Sequence, residues 1–289
     1  MKRILITGKD SYVGTSVRKY LEQWPKQYKV EEIDVKGEEW KKHDFSKHDV
    51  VFNVAGIAHI NRIKNDEETK LLYFNVNTDL AENIAKKAKK EGTKQFIQMS
   101  SMSVYGDSAP IGKEKIITKN TQPKPTNFYG QSKLEADKKL NKLSNNKFKV
   151  ALIRPPMIYG KGCKGNYPTL RKIALRSLIF PKIKNARSMI YIENFTEFIK
   201  EVIDDNQSGI LLPTNPDIVN TSEIVKNIAK VNQKSILIVP GFSWLLKFIG
   251  KTTPYINKAF GNMTYEIIKG HYQKYTTIES IQKMESDDE

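Results

Sequence analysis

Cysteine is nearly absent: Cys163 is the single one in 289 residues. One thiol excludes a disulfide framework and any thiolate metal cluster. Histidine is almost as scarce. His43, His48, His59 and His271 form no metal-ligand spacing such as HExxH, so no metal is expected. No apolar run approaches the roughly 20 residues that cross a bilayer, which argues against stable membrane insertion. The opening MKRILITGKD turns polar after seven residues, so no secretory signal is expected and the expected compartment is cytoplasmic. Internal repeats and low-complexity tracts are lacking as well.

What is present is the composition of a folded chain, with 39% hydrophobic and 28% charged residues. The length suits one large domain or two small ones. Lys+Arg 48 against Asp+Glu 32 leaves a formal charge of +16, a balance that draws anionic partners. The excess is nearly all lysine, spread along helical stretches such as 84–94 rather than gathered in one arm. A solvated lysine surface accounts for it. Neither interleaved aromatics nor a known motif points to nucleic acid, although the positive field would attract phosphorylated substrates.

The first half alternates short apolar runs with amphipathic stretches, the pattern of a parallel α/β sheet. Strands are expected at 3–7 (RILIT), 29–34, 50–55 (VVFNVA), 95–100 (QFIQMS) and 148–154 (FKVALIR). Helices are expected at 14–24, at 73–90 with Val76, Leu80, Ile84 and Ala88 on one side, and at 127–143. Only the 15 residues 35–49 join the second and third strands, so any helix there must be short. After Arg154 come a Gly-rich loop and a helix over 168–179. Stretches 189–203 and 209–212 then read as a return to the sheet. A helix over 221–231 follows, capped by Thr221 or Ser222. The expected fold is α/β: a Rossmann-like doubly wound parallel sheet with a smaller, interleaved C-terminal substrate domain. The first domain spans 1–154 with a return at about 186–213; the second takes 155–185 and 214–289.

The first strand runs into TGKDSYVG, where Gly8, Ser11, Tyr12, Val13 and Gly14 make a strand-to-helix turn. Such a turn lets backbone N–H groups approach a pyrophosphate at the positive end of a helix. Asp34 lies 20 residues past Gly14, at the end of the second strand, where an acid binds the adenosine ribose hydroxyls. Together these point to NAD(P). Asp34 favours NAD by repelling a 2′-phosphate, and Lys9 and Lys36 soften that preference.

Two later segments carry chemistry. MSSMSVYG (99–106) follows the fourth strand and YGQSK (129–133) lies on the next helix. Tyr129 and Lys133, four apart, share a helix face. An ammonium beside a phenol favours the phenolate, which suits Tyr129 to acid/base work at a carbonyl or alcohol. A serine at the neighbouring strand end can bond the same substrate oxygen.

With these segments in this order, the chain resembles an extended short-chain dehydrogenase/reductase of the NAD-dependent epimerase/dehydratase family, which acts mainly on nucleotide-activated sugars. TGKDSYVG is similar to the family's TGxxGxxG, IDV to its ribose-binding strand end, and VFNVAGIAH, with Ala55, to its third-strand segment. RPPMIYGKGCKGNYPTL, with Met157 and Asn166, resembles the substrate loop, and ARSMIYIEN the segment carrying a phosphate-binding arginine. The resemblance implies that Tyr129 is the catalytic acid/base and that Lys133 lowers its pKa and holds the nicotinamide ribose. It implies Ser101 as the catalytic serine, with Ser100 and Ser103 as lesser substitutes. It also places Arg187 on the nucleotide diphosphate and Asp44 and Phe45 at the adenine.

Ser11 stands at the family's middle glycine, where its hydroxyl can bond a phosphate oxygen. Met157 stands where sugar epimerases of the family often have asparagine. Met102 and Ser103 occupy the positions of the Asp-Glu pair that dehydratases use, which argues against dehydration. The resulting expectation is hydride transfer at C4 of a UDP-hexose or UDP-N-acetylhexosamine derivative in surface polysaccharide synthesis. A 4-keto reductase comes first, a 4-epimerase with retained NAD second, and a non-catalytic dinucleotide sensor third. The resemblance implies a homodimer through helices 73–90 and 127–143. His59 and Cys163 read as structural, 242–249 (FSWLLKFI) as a buried helix of the small domain, and Tyr105 and Tyr159 as loop-shaping.

Overall fold

A computed structural model describes residues 1–58, 66–241 and 260–286. His59 and the 242–249 segment lie outside the described residues. The elements begin with β1 (Lys2–Thr7), α1 (Tyr12–Leu21), β2 (Tyr28–Ile33), β3 (Val50–Asn53), α2 (Asp66–Phe74), α3 (Leu80–Lys90) and β4 (Gln95–Met99). Next come β5 (Ile116–Ile117), α4 (Phe128–Asn141), β6 (Lys149–Ile153), β7 (Met157–Tyr159), α5 (Asn166–Arg176), β8 (Ile179–Pro181) and β9 (Met189–Tyr191). The last are α6 (Ile192–Asp204), β10 (Gly209–Leu211), α7 (Thr221–Val231), β11 (Leu237–Val239), β12 (Thr264–Tyr265) and α8 (Thr277–Ser286).

The chain divides into two compact units. The first is Met1–Gly106, Gln122–Pro155 and Thr196–Pro213; the second is Asp107–Thr121, Pro156–Phe195 and Thr214–Glu289. In the first, six parallel strands run in the order β10–β6–β4–β3–β1–β2. The winding reverses at β1, which lies between β2 and β3, so the carboxyl end of β1 is the switch point where such sheets take ligands. Parallel strands covered on both faces are apolar throughout. Ile4, Leu5 and Ile6 in β1 and all four residues of β3 are buried accordingly. One polar line crosses the sheet near these ends: Thr7 donates to Asn53 at 2.5 Å, and Asn53 donates to Gln98 at 2.7 Å. The Asn53 amide is thus satisfied on both sides by its neighbours in register, and the Gln98 amide nitrogen donates to Met99 O at 3.3 Å.

Four expectations need adjusting. The 73–90 helix starts earlier, at Asp66, and carries one π turn, Asn75–Asp79, between α2 and α3. The 189–203 stretch does not return to the sheet. Only β9 is extended, paired with β7 in a two-stranded ribbon, and 192–204 is helical. Its apolar Phe195, Phe198, Ile199 and Val202 recur at helical spacing. Residues 107–121 and 186–195 group with the second unit, because β5 pairs with β12 and β9 with β7. Finally, α7 is capped by Asn220, whose Oδ1 accepts from Glu223 N at 2.8 Å. Thr221 and Ser222 are committed to Asn185 and to the backbone of Ile183 and Pro181. Asn220→Ala is therefore expected to cost about 1 kcal/mol, read as a small drop in melting temperature. No drop would mean the cap contributes nothing.

The 35–49 crossover has no α-helix, only two short 3₁₀ turns, Glu39–Lys42 and Phe45–Lys47. Trp40 and Phe45 fill the space a crossover helix would take, in one cluster with Leu5, Val35 and Val51.

Candidate active site

Helix α4 carries the reactive residues, and its entry is fixed locally. Asn127 caps it by accepting from Gly130 N at 2.9 Å. Gly130 also has no room for a side chain: a Cβ there would meet the Ser103 carbonyl oxygen at 2.5 Å. The helix can thus lie hard against the 3₁₀ turn Met102–Tyr105, which Ser101 caps by accepting from Ser103 N at 3.1 Å. This close approach makes the hydroxyls of Ser101 and Tyr129 hydrogen-bond partners. The ring of Tyr73 stands 6.1 Å from that of Tyr129.

One turn on, Lys133 is 5% exposed and donates to the Met99 carbonyl at 2.9 Å. The π turn supplies its other neighbour. A Cβ on Gly56 would lie 2.9 Å from both Asn77 Oδ1 and Lys133 Nζ, so Gly56 leaves the ammonium its space. Asn77 is pinned by Ile57 N, Ile57 O and Ser132 Oγ. A second turn on, Asp137 accepts from Ser100 Oγ and from Arg154 Nε, both at 2.9 Å, and Arg154 donates to the Tyr105 hydroxyl at 2.9 Å. Asn77, Asp137 and Arg154 were not among the expected site residues. The i, i+4, i+8 series Tyr129–Lys133–Asp137 was the signal that could have found Asp137.

The electrostatics depart from the expectation that Lys133 holds the phenol low. Burial pushes Tyr129 above its ordinary value, and the hydrogen bond with Ser101 works the other way. With its ammonium turned onto Met99 O, Lys133 leaves burial in charge, and Tyr129 rests as a neutral phenol. Burial also pushes Lys133 down to about 8, with Asp137 opposing it.

A lysine depressed in this way costs stability while the unfolded chain holds the proton more tightly. The cost is full below about pH 8, shrinks between there and the ordinary 10.5, and is gone above it. Lys133→Met is therefore expected to stabilise the fold at pH 7, by on the order of 3 kcal/mol, while removing function. The gain should fade as the pH approaches 10.5. Melting curves at pH 7 and pH 10 check this, and a variant melting below the parent at pH 7 would contradict it.

At the switch point, Gly8 has φ +105° and its Cβ would meet Ala55 N at 2.9 Å, so only glycine suits this turn. Gly14 N donates to Ser11 Oγ at 3.2 Å. Ser11 is therefore the N-cap of α1, and its O–H remains suited to an acceptor such as phosphate oxygen. Tyr12 and Val13 begin the helix, whose first-turn N–H groups have no intrahelical acceptor. Gly8 N and Lys9 N donate to Ile33 O, which brings the end of β2 beside the turn, and Asp34 stands exposed there. A Cβ-free turn, a helix N-terminus and an exposed acid at the strand end fit a dinucleotide.

Two expected adenine contacts are otherwise engaged. Phe45 is fully buried, its N–H given to Glu91 at 2.7 Å and its ring under Lys87. Asp44, exposed, caps its own turn through Ser46 N at 3.0 Å.

In the second unit, Met157 pairs with Met189 in register, so Arg187 lies two residues ahead of that partner. Arg187 bridges Val219 and Met263 through its backbone, and burial pulls its guanidinium below the ordinary arginine value. Ser103 is half-buried in the first unit, and Asn166 is exposed at the start of α5. Tyr159 is a core residue here, bonded to Ser280 and Asn215. Cys163 is buried in the second unit, and its thiol is pushed up rather than activated by the neighbouring lysines.

The model of a family described as the NAD dependent epimerase/dehydratase family matches residues 4–212. The chain belongs to that family. This epimerase/dehydratase-family chain is 30% identical over 271 residues to a UDP-glucose 4-epimerase of Vibrio cholerae, covering 86% of this chain and 82% of the relative. It is 29% identical over 181 residues to an N-acetyl-alpha-D-glucosaminyl-diphospho-ditrans,octacis-undecaprenol 4-epimerase of Escherichia coli O157:H7, covering 60% of this chain and 53% of the relative. Among solved structures it is similar to a dTDP-4-dehydrorhamnose reductase of Bacillus anthracis in complex with NADP. There the TM-score is 0.73 at 17% identity, with 100% of both chains covered. The names of all three describe sugar epimerases or a sugar reductase, and the Bacillus anthracis structure shares the doubly wound fold.

Proposed function

We propose that this chain interconverts alcohol and ketone at C4 of a nucleotide-activated sugar, a UDP-hexose or UDP-N-acetylhexosamine, and that it runs as a 4-epimerase. The convergence of Ser101, Tyr129 and Lys133 on one helix-to-strand contact carries the reading. Bound NAD(P), with NAD favoured by Asp34, supplies the hydride acceptor and donor. Epimerisation begins with oxidation, so Tyr129 would first take the proton of the sugar C4 hydroxyl as a phenolate, the form favoured once the Lys133 ammonium turns toward the nicotinamide ribose and the phenol. It would return that proton on reduction, with Ser101 bonding the sugar oxygen. Gly8, Ser11, Tyr12, Val13 and Gly14 hold the pyrophosphate, and Ala55 backs the turn. Arg187, half-buried in the second unit, takes the substrate diphosphate, and Met157 and Asn166 are the other substrate contacts. The sequence alone put a 4-keto reductase first. The 30% identity to a UDP-glucose 4-epimerase over most of both chains shifts the weight to epimerisation.

The test is an assay without added cofactor. Purified protein, with any bound dinucleotide measured after denaturation, is incubated with UDP-glucose and UDP-N-acetylglucosamine, and products are resolved by NMR. Retained NAD and a C4 epimer are expected. Turnover of a 4-keto sugar only with added NADH or NADPH would restore the reductase. We place the enzyme in the cytoplasm as a homodimer, which sedimentation at one chain mass would contradict.

A second reading has its own observation. Leu178, just before β8, and Leu237, on β11, are 82% and 65% exposed, with Lys226, Lys230 and Lys234 beside Leu237. An apolar strip edged with lysines suits a sugar carried on a polyprenyl diphosphate, as the name of the E. coli relative describes for that protein. No helix among the described residues is long and apolar enough to cross a membrane. Epimerisation of a polyprenyl-diphosphate sugar in detergent, with UDP-sugars inert, would decide for it.

A further inference from the structure

Three ligand-type side chains outside the candidate active site converge at the outer edge of the main sheet. Glu31 is on β2, the edge strand, and His43 and His48 flank the second 3₁₀ turn of the crossover. One ligand atom from each lies within 4.8 Å of the others. Glu31 Oε2 is 3.1 Å from His48 Nε2, and Glu31 Oε1 is 3.5 Å from His43 Nε2. Neighbouring ligand atoms around a tetrahedral zinc, bonded at about 2.0–2.1 Å, stand roughly 3.3 Å apart. The two imidazole–carboxylate separations, made through different oxygens of Glu31, lie on either side of that edge, and the three ligand atoms stay within 4.8 Å of one another.

A second observation points the same way. His43 Nε2 is buried yet has no hydrogen-bond partner, an orphaned ring nitrogen aimed at the Glu31 carboxylate. The His43 and His48 rings stack at 5.6 Å with 30° between planes. Phe45 walls one side, edge-on to His43 at 5.9 Å. The neighbouring Lys41, Lys42 and Lys47 are paired with Glu38, Glu39 and Asp44, so their charge is locally balanced. Glu31, 49% exposed at its side chain, opens the cluster to solvent.

We infer that Glu31, His43 and His48 form a three-ligand site for a borderline divalent transition cation of the zinc class, completed by water. Two imidazoles with one carboxylate select zinc, nickel, copper or cobalt over magnesium and calcium. The ion would tie the helix-free 35–49 crossover to β2, the strand that leads into Asp34. No step of the proposed hydride transfer uses it. The site was invisible to motif search because the third ligand comes from a neighbouring strand, 12 residues before His43.

Metal-stripped protein titrated with Zn²⁺ alone in a calorimeter tests this. One Zn²⁺ per chain at micromolar affinity or tighter is expected, with a higher melting temperature in its presence. His43→Gln and Glu31→Gln should each weaken binding by on the order of tenfold or more, whereas His271→Gln should leave it unchanged. Both test positions are partly exposed, and metal-free melts confirm the variants fold. Co²⁺ bound to the parent protein should show intense visible bands of a four- or five-coordinate site, lost in His43→Gln. Millimolar affinity, featureless Co²⁺ spectra, or binding indifferent to His43→Gln and Glu31→Gln would each overturn the site.

Discussion

Tyr129→Phe is expected to lower kcat by roughly 10³-fold, within the range that general acid–base groups contribute, while dinucleotide affinity and melting temperature hardly move. The hydroxyl is the only part removed. Its hydrogen-bond partner is Ser101, which keeps its own role capping the Met102–Tyr105 turn, and the ring keeps its place against Tyr73. Loss of one such bond is worth about 1 kcal/mol at most, partly returned because a buried phenol no longer needs to be desolvated. Fold and cofactor site should therefore survive a change that abolishes proton transfer. Initial rates on the accepted UDP-sugar, beside a fluorescence titration with NADH, separate the two effects. Activity within tenfold of the parent would remove Tyr129 from the chemistry. Equal loss of NADH binding would make it a structural residue instead.

Much of this site is legible in the sequence because its parts are local. TGKDSYVG is a turn dictated by Gly8 and Gly14, and YGQSK is a helix face. Each needs only neighbours within a few residues, and both stand where the sequence puts them. Binary patterning likewise places β1, β3, β4, β6 and β10. What it misses depends on distant partners. Residues 189–203 look like a strand because they are apolar, and only β9's pairing with β7 shows where extension stops. Phe45 reads as an adenine contact because of its position in the family pattern. In the fold it must plug the gap left by a crossover with no helix. The direction of the Tyr129 shift was out of reach for the same reason. A sequence shows the ammonium four residues away, but not the burial that outweighs it.

Asp137→Ala is expected to destabilise the chain by about 3–5 kcal/mol, the cost of leaving one member of a buried ion pair uncompensated. Arg154 and Asp137 have side chains 4% and 2% exposed and meet at 2.9 Å, so a lone guanidinium there could neither reach water nor lose its charge. Ser100 would lose its acceptor at the same time. The melting temperature should fall by roughly 10 °C on the usual conversion for chains of this size. Removing both charges separates pairing from packing. Asp137→Leu combined with Arg154→Met should recover most of the loss, because two apolar side chains need no partner. If Asp137→Ala melts with the parent, the pair does not hold β4, α4 and β6 together. Asp137→Asn adds a readout that packing alone would not move. Asp137 opposes the burial that depresses Lys133, so without its charge the ammonium should lose its proton below pH 8. The alkaline limb of the activity profile should then shift to lower pH. On the proposed function Asp137 is thus a positioning residue in two senses: it ties α4 to the ends of β4 and β6, and it opposes the burial that would strip Lys133 of its charge.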